Sequence, residues 1–417
     1  MPRADVVVIG AGLAGLSCAA ELAERGARVF LAAKGMATTH WTHGGLDVAA
    51  PPGVTSSRDG IRILAATDGH PYRSLGADAD GAVTAHLARL ATSGLEHAGS
   101  LDDPLVAIPT AIGALRPGAI LPVAQSAALE PWASNGLLLV GFARYRDAWA
   151  TYAARNLRTA SWPHGPTEIR AIEVELPGLD RLHNIAPQIL ARRFEVADWR
   201  ARALSAIAAA VPAGAWRIGV PAVLGLDAHA EVHAAAERAL GHRVFEMASL
   251  PPSVPGLRLY DALRRRILAG GGRIQIGFDV VEVERHGDRL IAIHTEAASR
   301  TLRIGGDAFV LATGGIAGAG IRAGHDGYLV ERVFGLPVAA PPRERWFSDD
   351  PLQPHPLETA GIEVGDDLAP AGLRNVRVIG SGLPGMHYLD QRCGDGVALA
   401  SAHRAASSLA GRKAVAA

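Results

Sequence analysis

The sequence predicts an α/β protein whose core is a largely parallel sheet, interrupted by a second α/β unit. Three observations predict it. A short apolar strand at residues 5–9 runs straight into Gly10-Ala11-Gly12-Leu13-Ala14-Gly15, an apolar-striped helix and a second strand. A matching strand and glycine turn, Phe309-Val310-Leu311-Ala312-Thr313-Gly314-Gly315, returns late in the chain. Between about residues 100 and 248 the glycine turns give way to a steady alternation of strand-like and helix-like runs.

A chain of 417 residues accommodates two or three folding units. Its 41 Lys plus Arg balance 41 Asp plus Glu, and no basic run is long, which removes the electrostatic case for a nucleic-acid binder. With 49% hydrophobic and 20% charged residues it can bury a large core, so disordered and fibrous classes are excluded. The only cysteines, Cys18 and Cys393, make neither a disulfide framework nor an iron–sulfur site by themselves. No signal-peptide core follows the N-terminus, and the longest apolar run, residues 136–142, is strand-sized. The expectation is a cytoplasmic protein that meets a membrane only through a partner.

The N-terminal segment carries the first chemistry. After the strand, Gly10 permits the tight turn, Gly12 lets a pyrophosphate approach the backbone, and Gly15 lets helix and strand pack closely. The helix places Leu16, Ala19, Ala20, Leu22 and Ala23 on an apolar stripe, and Gly26 ends it before a strand over residues 28–32. A pyrophosphate is then held at a helix N-terminus by free N–H groups and the helix dipole. This is the Rossmann dinucleotide-binding arrangement, with Gly10, Ala11, Gly12, Leu13, Ala14 and Gly15 as its cofactor contacts. The acidic residue that usually ends the second strand and binds the ribose is missing; Ala33, Lys34 and Gly35 stand there. Ribose recognition must therefore come from backbone or water, and Lys34 either faces a phosphate or is a solvated loop lysine.

The next segment, Thr38-Thr39-His40-Trp41-Thr42-His43-Gly44-Gly45-Leu46-Asp47, resembles the Ser/Thr-rich Gly-Gly loop that flavoproteins of the fumarate reductase and glycerol-phosphate dehydrogenase class wrap around the flavin. The resemblance implies cofactor contacts from Thr42, His43, Gly44, Gly45 and Leu46. In covalent members of that class a histidine lies six residues before the first glycine, where this chain has Thr38, so non-covalent binding is expected. His40 and His43 read as loop hydrogen-bonders rather than metal ligands, since no carboxylate or cysteine cluster accompanies them, and no metal is expected.

In the middle of the chain residues 109–122 read as a hairpin. Strands are expected at 137–140, 169–176, 218–223 and 244–247, and helices at 145–157, 186–194, 199–211 and 229–240. The economical reading is an inserted α/β cap or partner-binding domain over residues 100–248, between the two parts of the cofactor domain at 1–99 and 249–417.

The string Leu250-Pro251-Pro252-Ser253-Val254-Pro255-Gly256-Leu257-Arg258-Leu259 is the most distinctive in the sequence. Its prolines fix an extended loop before a helix over 257–269 ended by Gly270-Gly271-Gly272, and Arg258 in the first turn is placed to meet a flavin or an anionic substrate. Strands follow at 273–276, 280–284, 290–295 and 301–304, with Val280 a candidate cofactor contact. The strand at 309–311 with Ala312, Thr313 and Gly314 resembles the returning Ala-Thr-Gly turn of two-dinucleotide-domain flavoproteins. A further strand and turn bring Gly380 and Ser381, and Gly394, Asp395, Gly396 and Val397 open a helix reaching about residue 409. A helix N-terminus at the flavin pyrimidine edge stabilises negative charge on the reduced ring. Cys393, a lone thiol, reads as packing.

These segments together resemble the B subunit of anaerobic glycerol-3-phosphate dehydrogenase over nearly the whole chain, the proline string and the Gln-x-Cys-Gly-x-Gly-Val segment being the specific ones. Asp395 stands where that family tends to have a third glycine. The resemblance implies a Rossmann-type FAD-binding domain of the fumarate-reductase-like kind. It also implies a catalytic A subunit and an iron–sulfur, membrane-attached C subunit as partners, with electrons passing from sn-glycerol 3-phosphate to quinone. FAD is expected over FMN, because FMN has no pyrophosphate for Gly10–Gly15 and no adenosine for the Ala312–Gly315 turn. Two roles stay open: a flavin relay fed by a catalytic neighbour, or an independent dehydrogenase or oxidase of a small hydroxy or amino acid. The second needs a base and converging arginines. Arg258 and His387 are the catalytic candidates, with His325 and Arg322 also available, and no pair of them sits in a recognisable motif.

Overall fold

The computed structural model describes residues 3–180, 183–247, 250–297 and 300–410. The chain forms two compact units, one made of Met1–Thr39, Asp47–Ser93 and Asp261–Ala417, the other of His40–Leu46 and Gly94–Tyr260. The boundary expected between residues 248 and 249 falls on residues outside the described ones.

The first unit is built on a seven-stranded sheet in the order Arg273–Ile276, Val29–Ala33, Arg3–Ile9, Arg300–Leu311, Arg289–Ala297 and Asp279–His286, with Val376–Val378 also paired to Arg300–Leu311. The strands around Arg3–Ile9 are parallel, and from Ala4 onward this strand is buried, the continuous apolar run of a strand covered on both faces. Helix Leu13–Glu24 follows the glycine turn and buries Leu16, Cys18, Ala19, Ala20 and Leu22 completely. It packs on the C-terminal helix Gly394–Ala410, which also packs on helix Tyr72–Thr92. This last helix and Ser57–Ala65 occupy a stretch for which the sequence patterns suggested no element.

Two expected strands, 301–304 and 309–311, are one. Arg300–Leu311 is a single strand of 12 residues whose first half pairs antiparallel with Arg289–Ala297 and whose second half pairs parallel with Arg3–Ile9. Gly305 and Gly306 interrupt the side-chain pattern but not the backbone ladder, because both sit opposite partners in the sheet.

The second unit holds a four-stranded parallel sheet in the order Arg243–Met247, Trp216–Pro221, Gly136–Phe142 and Ile169–Val174. Helices Pro187–Glu195, Ala197–Ala210 and His229–Leu240 supply Leu190, Phe194, Leu204, Ile207 and Val232 to a core with Leu138, Val140, Phe142, Ile218 and Val244. The expected helix at 145–157 begins only at Ala150, since Arg144 has φ +71° and the Tyr145 N–H turns back to the Phe142 carbonyl. The hairpin is formed by Val106–Pro109 and Leu115–Gly118, while Leu121–Pro122 pairs with His97–Ala98 instead.

Candidate functional site

The glycine turn and the Ala-Thr-Gly turn meet in the first unit. Gly10 has φ +114°, and a Cβ on it would lie 2.2 Å from the Ala312 carbonyl oxygen; one on Gly15 would lie 2.1 Å from the Gly10 carbonyl oxygen. The Gly10 N–H donates to Ala32 O at 2.9 Å and the Ala312 N–H to Ile9 O at 2.8 Å, which locks the two turns side by side. Gly12 differs. Its backbone (φ −73°, ψ 175°) suits any residue. A Cβ there would meet only the Ala37 Cβ, at 3.8 Å. Nothing in the packing demands this glycine, whereas a pyrophosphate lying against the helix start does. Helix Leu13–Glu24 has no side-chain cap and no acidic residue in its first turn, which suits its N-terminus to an anion. The residues present thus fit a dinucleotide.

A cavity of about 360 Å³ opens on these turns, lined by Gly10, Ala11, Lys34, Val280, Ala312 and Thr313 among the expected contacts. Its rim holds a carboxylate that the sequence patterns did not single out. Asp279 accepts from Lys34 Nζ at 2.7 Å and from an Arg332 guanidinium nitrogen at 3.0 and 3.1 Å. Burial alone would raise its pKa, but the Lys34 hydrogen bond and the Arg332 charge outweigh that and hold it below the ordinary carboxylate value. Lys34 is thus an ion-pair partner rather than a merely solvated loop lysine. No spacing rule links Lys34 to Asp279, and the only cue was that Asp279 directly precedes Val280.

The remaining expected contacts of this unit lie elsewhere. Leu13, Ala14 and Gly15 form the helix start. Gly314, with φ +82°, continues the Ala312–Thr313 turn, and the Gly315 N–H donates to Ser381 Oγ at 3.1 Å, joining two segments read separately from the sequence. The Gly380 N–H donates to Ser401 Oγ at 2.9 Å. At the start of Gly394–Ala410 the expectation of amides free for a flavin needs correction. The Asp395 and Gly396 N–H groups donate to Asp47 O at 3.1 and 3.2 Å, Asp395 Oδ2 accepts from the Asp47 N–H at 2.9 Å, and the Val397 N–H makes an ordinary helical bond to Cys393 O. These donors are spent on the backbone that follows the Gly-Gly loop. Cys393 is fully buried, and burial, reinforced by Asp47 and Asp395, pushes its thiol up to about 12, the chemistry of a packing group. Its Sγ lies 3.7 Å from His70 Nε2, and burial lowers the His70 ring to about 4. His387 neighbours His70, and its Nδ1 is buried without a hydrogen-bond partner among the described residues.

Thr42, His43, Gly44, Gly45 and Leu46 belong to the second unit. Within this loop the Gly44 N–H donates to Thr42 Oγ1 at 3.2 Å and the Gly45 N–H to His43 Nδ1 at 3.0 Å, so both side chains scaffold the glycine pair. His40 is buried, lies edge-on to Tyr260 at 5.1 Å and has its pKa lowered by burial.

Arg258 needs the larger correction. The helix begins at Val254, so Arg258 is in its second turn, and its side chain is only 2% exposed. Its Nε donates to Gly225 O at 2.9 Å, and its terminal nitrogens bond both Glu246 oxygens, at 2.5 and 2.9 Å. Burial would raise the Glu246 pKa, but the Arg258 charge and hydrogen bonds hold it below its ordinary value. A guanidinium so committed welds a strand to a helix inside the second unit and offers no fork to an anionic substrate.

A Rossmann turn feeding a cavity beside a returning Ala-Thr-Gly turn defines an FAD-dependent flavoprotein. The model of the FAD binding domain family matches residues 5–397, and FAD is the cofactor. The chain belongs to the family of anaerobic glycerol-3-phosphate dehydrogenase B subunits. It is 32% identical over 98% of both chains to the probable B subunit of anaerobic glycerol-3-phosphate dehydrogenase from Halobacterium salinarum, strain R1. It is likewise 32% identical, over 98% of both chains, to the B subunit of anaerobic glycerol-3-phosphate dehydrogenase from Pectobacterium atrosepticum. Among solved structures, Mycobacterium smegmatis Sdh1 in complex with UQ1 is 12% identical with a TM-score of 0.45, covering 99% of this chain and 69% of that one.

Proposed function

We propose that this chain is the FAD-carrying subunit of a glycerol-3-phosphate dehydrogenase, taking part in oxidation of sn-glycerol 3-phosphate to dihydroxyacetone phosphate and relaying electrons toward an iron–sulfur subunit and quinone. The observation that carries the reading is the cavity where Gly10, Ala11, Ala312 and Thr313 converge on Lys34, Val280 and Asp279. Gly10–Gly15 take the pyrophosphate, and Asp279 takes the ribose hydroxyls in place of the acidic residue missing after the second strand. The Thr42–Leu46 loop serves the flavin, with Gly314, Gly380, Ser381 and Gly394 completing the cofactor contacts. Bound FAD supplies acceptance of a hydride equivalent and its onward release as electrons.

The relay reading is favoured because Arg258, the arginine placed by sequence to receive a phosphate, is spent on Glu246. A catalytic A subunit then supplies the substrate site and an iron–sulfur C subunit the route to the membrane, from the cytoplasmic face. No helix among the described residues is long and apolar enough to cross a membrane. The inserted unit, residues 100–248 in the sequence reading, offers a partner surface. One observation supports the alternative, a dehydrogenase acting alone: Nδ1 of His387 is buried with no hydrogen-bond partner among the described residues, which makes that ring the candidate base.

Anaerobic addition of sn-glycerol 3-phosphate to the purified chain separates the two. Under the relay the flavin band bleaches only when the neighbouring subunits are present. Bleaching of the isolated chain overturns the relay, and its loss in His387→Gln then makes His387 the base.

A further inference from the structure

We infer that Ser253 and Gln125, with His97, are positioning residues that fix the Thr42–Leu46 loop in the shape it presents to the flavin; this rests on the reading of that loop as flavin-facing. Successive loop carbonyls are each claimed by a side chain or amide remote in sequence, all within the second unit. The Ser253 N–H donates to His40 O at 2.8 Å, and the Ser253 hydroxyl donates to Thr42 O. Gln125 Nε2 donates to His43 O at 2.7 Å, and His97 Nε2 lies 3.1 Å from Gly44 O. Beyond them the Leu46 N–H donates to Ile120 O at 3.0 Å. Because a peptide unit is planar, holding its carbonyl fixes its N–H as well, so these bonds set the orientation of consecutive peptide planes through a glycine pair that otherwise has wide freedom.

The proline string thereby gains a task. Pro255 Cβ and Pro122 Cγ occupy the space beside Gly44, 2.8 and 3.1 Å from where a Cβ would stand, so the loop lies flat against the string. Ser253 serves both sides: its hydroxyl also accepts from the Gly256 N–H at 3.0 Å, capping helix Val254–Ala269 while it holds Thr42. Ser253 and Gln125 are both buried, so water cannot replace either donor without cost.

The test is FAD titration of the flavin-stripped full chain, followed by quenching of flavin fluorescence and by the visible band of the bound flavin. Ser253→Ala and Gln125→Ala should each weaken FAD about tenfold, as loss of a buried hydrogen bond implies, and shift that band. Ser253→Thr, which keeps the hydroxyl, should bind as the parent does. The control is Ser56→Ala, which removes the cap of helix Ser57–Ala65, where Ser56 Oγ accepts from the Asp59 N–H at 3.2 Å. It should lower the unfolding temperature and leave FAD affinity alone. The inference is overturned by Ser253→Ala weakening FAD no more than Ser56→Ala does, by Ser253→Thr being as weak as Ser253→Ala, or by Gln125→Ala binding as the parent does. Should Ser253→Ala not fold, Gln125→Ala, which caps no helix, decides. A parent chain that takes up no FAD overturns the flavin reading itself, before any variant is compared.

Discussion

Lys34 Nζ sits 2.7 Å from Asp279 Oδ2, joining the end of the second Rossmann strand to a strand that begins 245 positions later. On the proposed function, this tertiary contact supplies the carboxylate that dinucleotide folds usually place on the second strand itself.

Asp279→Asn should therefore weaken FAD binding about tenfold, the cost of about 1.5 kcal/mol expected for a hydrogen bond to a charged group. Because the Asp279 pKa is held below the ordinary value, its contribution is complete above that value and fades only as pH falls through the depressed one. The affinity ratio between Asp279→Asn and the parent, measured by fluorescence titration at pH 8 and pH 6, should be the same. A ratio that collapses by pH 6 would contradict the assignment.

Gly10 and Gly12 should separate folding from binding. Gly10→Ala pushes a Cβ onto the Ala312 carbonyl at φ +114° and should cost about 3 kcal/mol or more in stability, read by urea denaturation. Gly12→Ala meets no comparable contact, so it should unfold at nearly the parent's midpoint yet lose most FAD from the purified protein. Retention of bound FAD in folded Gly12→Ala would place the pyrophosphate elsewhere.

Arg258→Met leaves the Glu246 carboxylate buried without its partner and should destabilise by about 3–5 kcal/mol. Glu246 has a depressed pKa, so the stability it contributes is present above its ordinary value and is lost as pH falls through the folded value. Acid titration of thermal stability should show that loss in the parent. In the surviving folded fraction of Arg258→Met, FAD content per mole should be unchanged, as a role confined to the Glu246 and Gly225 contacts requires.

Cys393 should be inert. With the thiol pushed up to about 12 and no exposure, alkylation by iodoacetamide at pH 8 should be negligible in the native protein and complete in denaturant. Rapid native labelling of Cys393 would mean that its burial is transient.

The Rossmann turn was legible because everything that defines it is contiguous: strand, glycines and apolar stripe fall within residues 3–33. Helix Tyr72–Thr92 was hidden although Tyr72, Leu75, Ala79, Ala82, Val83, His86 and Leu90 do form its buried stripe. Alanines, Gly76, Gly81 and an imidazole dilute that stripe, and its burial comes from neighbours that no local pattern reveals. Asp279 was invisible for the same reason in sharper form, since its partners Lys34 and Arg332 lie 245 and 53 positions away and meet it only in the tertiary fold. Arg258 shows the converse case: a charged residue in a distinctive string invited a chemical reading, and its carboxylate partner Glu246, 12 residues earlier, made it structural instead.

The strand Arg300–Leu311, which pairs Arg3 with Gly305 and Ile9 with Leu311, also sets a timetable for biosynthesis. As the ribosome extends the chain from its N-terminus, Arg3–Ile9 emerges with only one of its flanking strands and keeps an open edge until some 300 residues later. The second unit, whose four-stranded sheet lies between Gly136 and Met247, is complete well before that and can close around its own core. On the proposed reading of the Gly10 and Ala312 turns, FAD capture is accordingly an event of the last quarter of translation or later, and a chain truncated before Leu311 carries a finished inserted unit and a cofactor sheet with nothing to lock it.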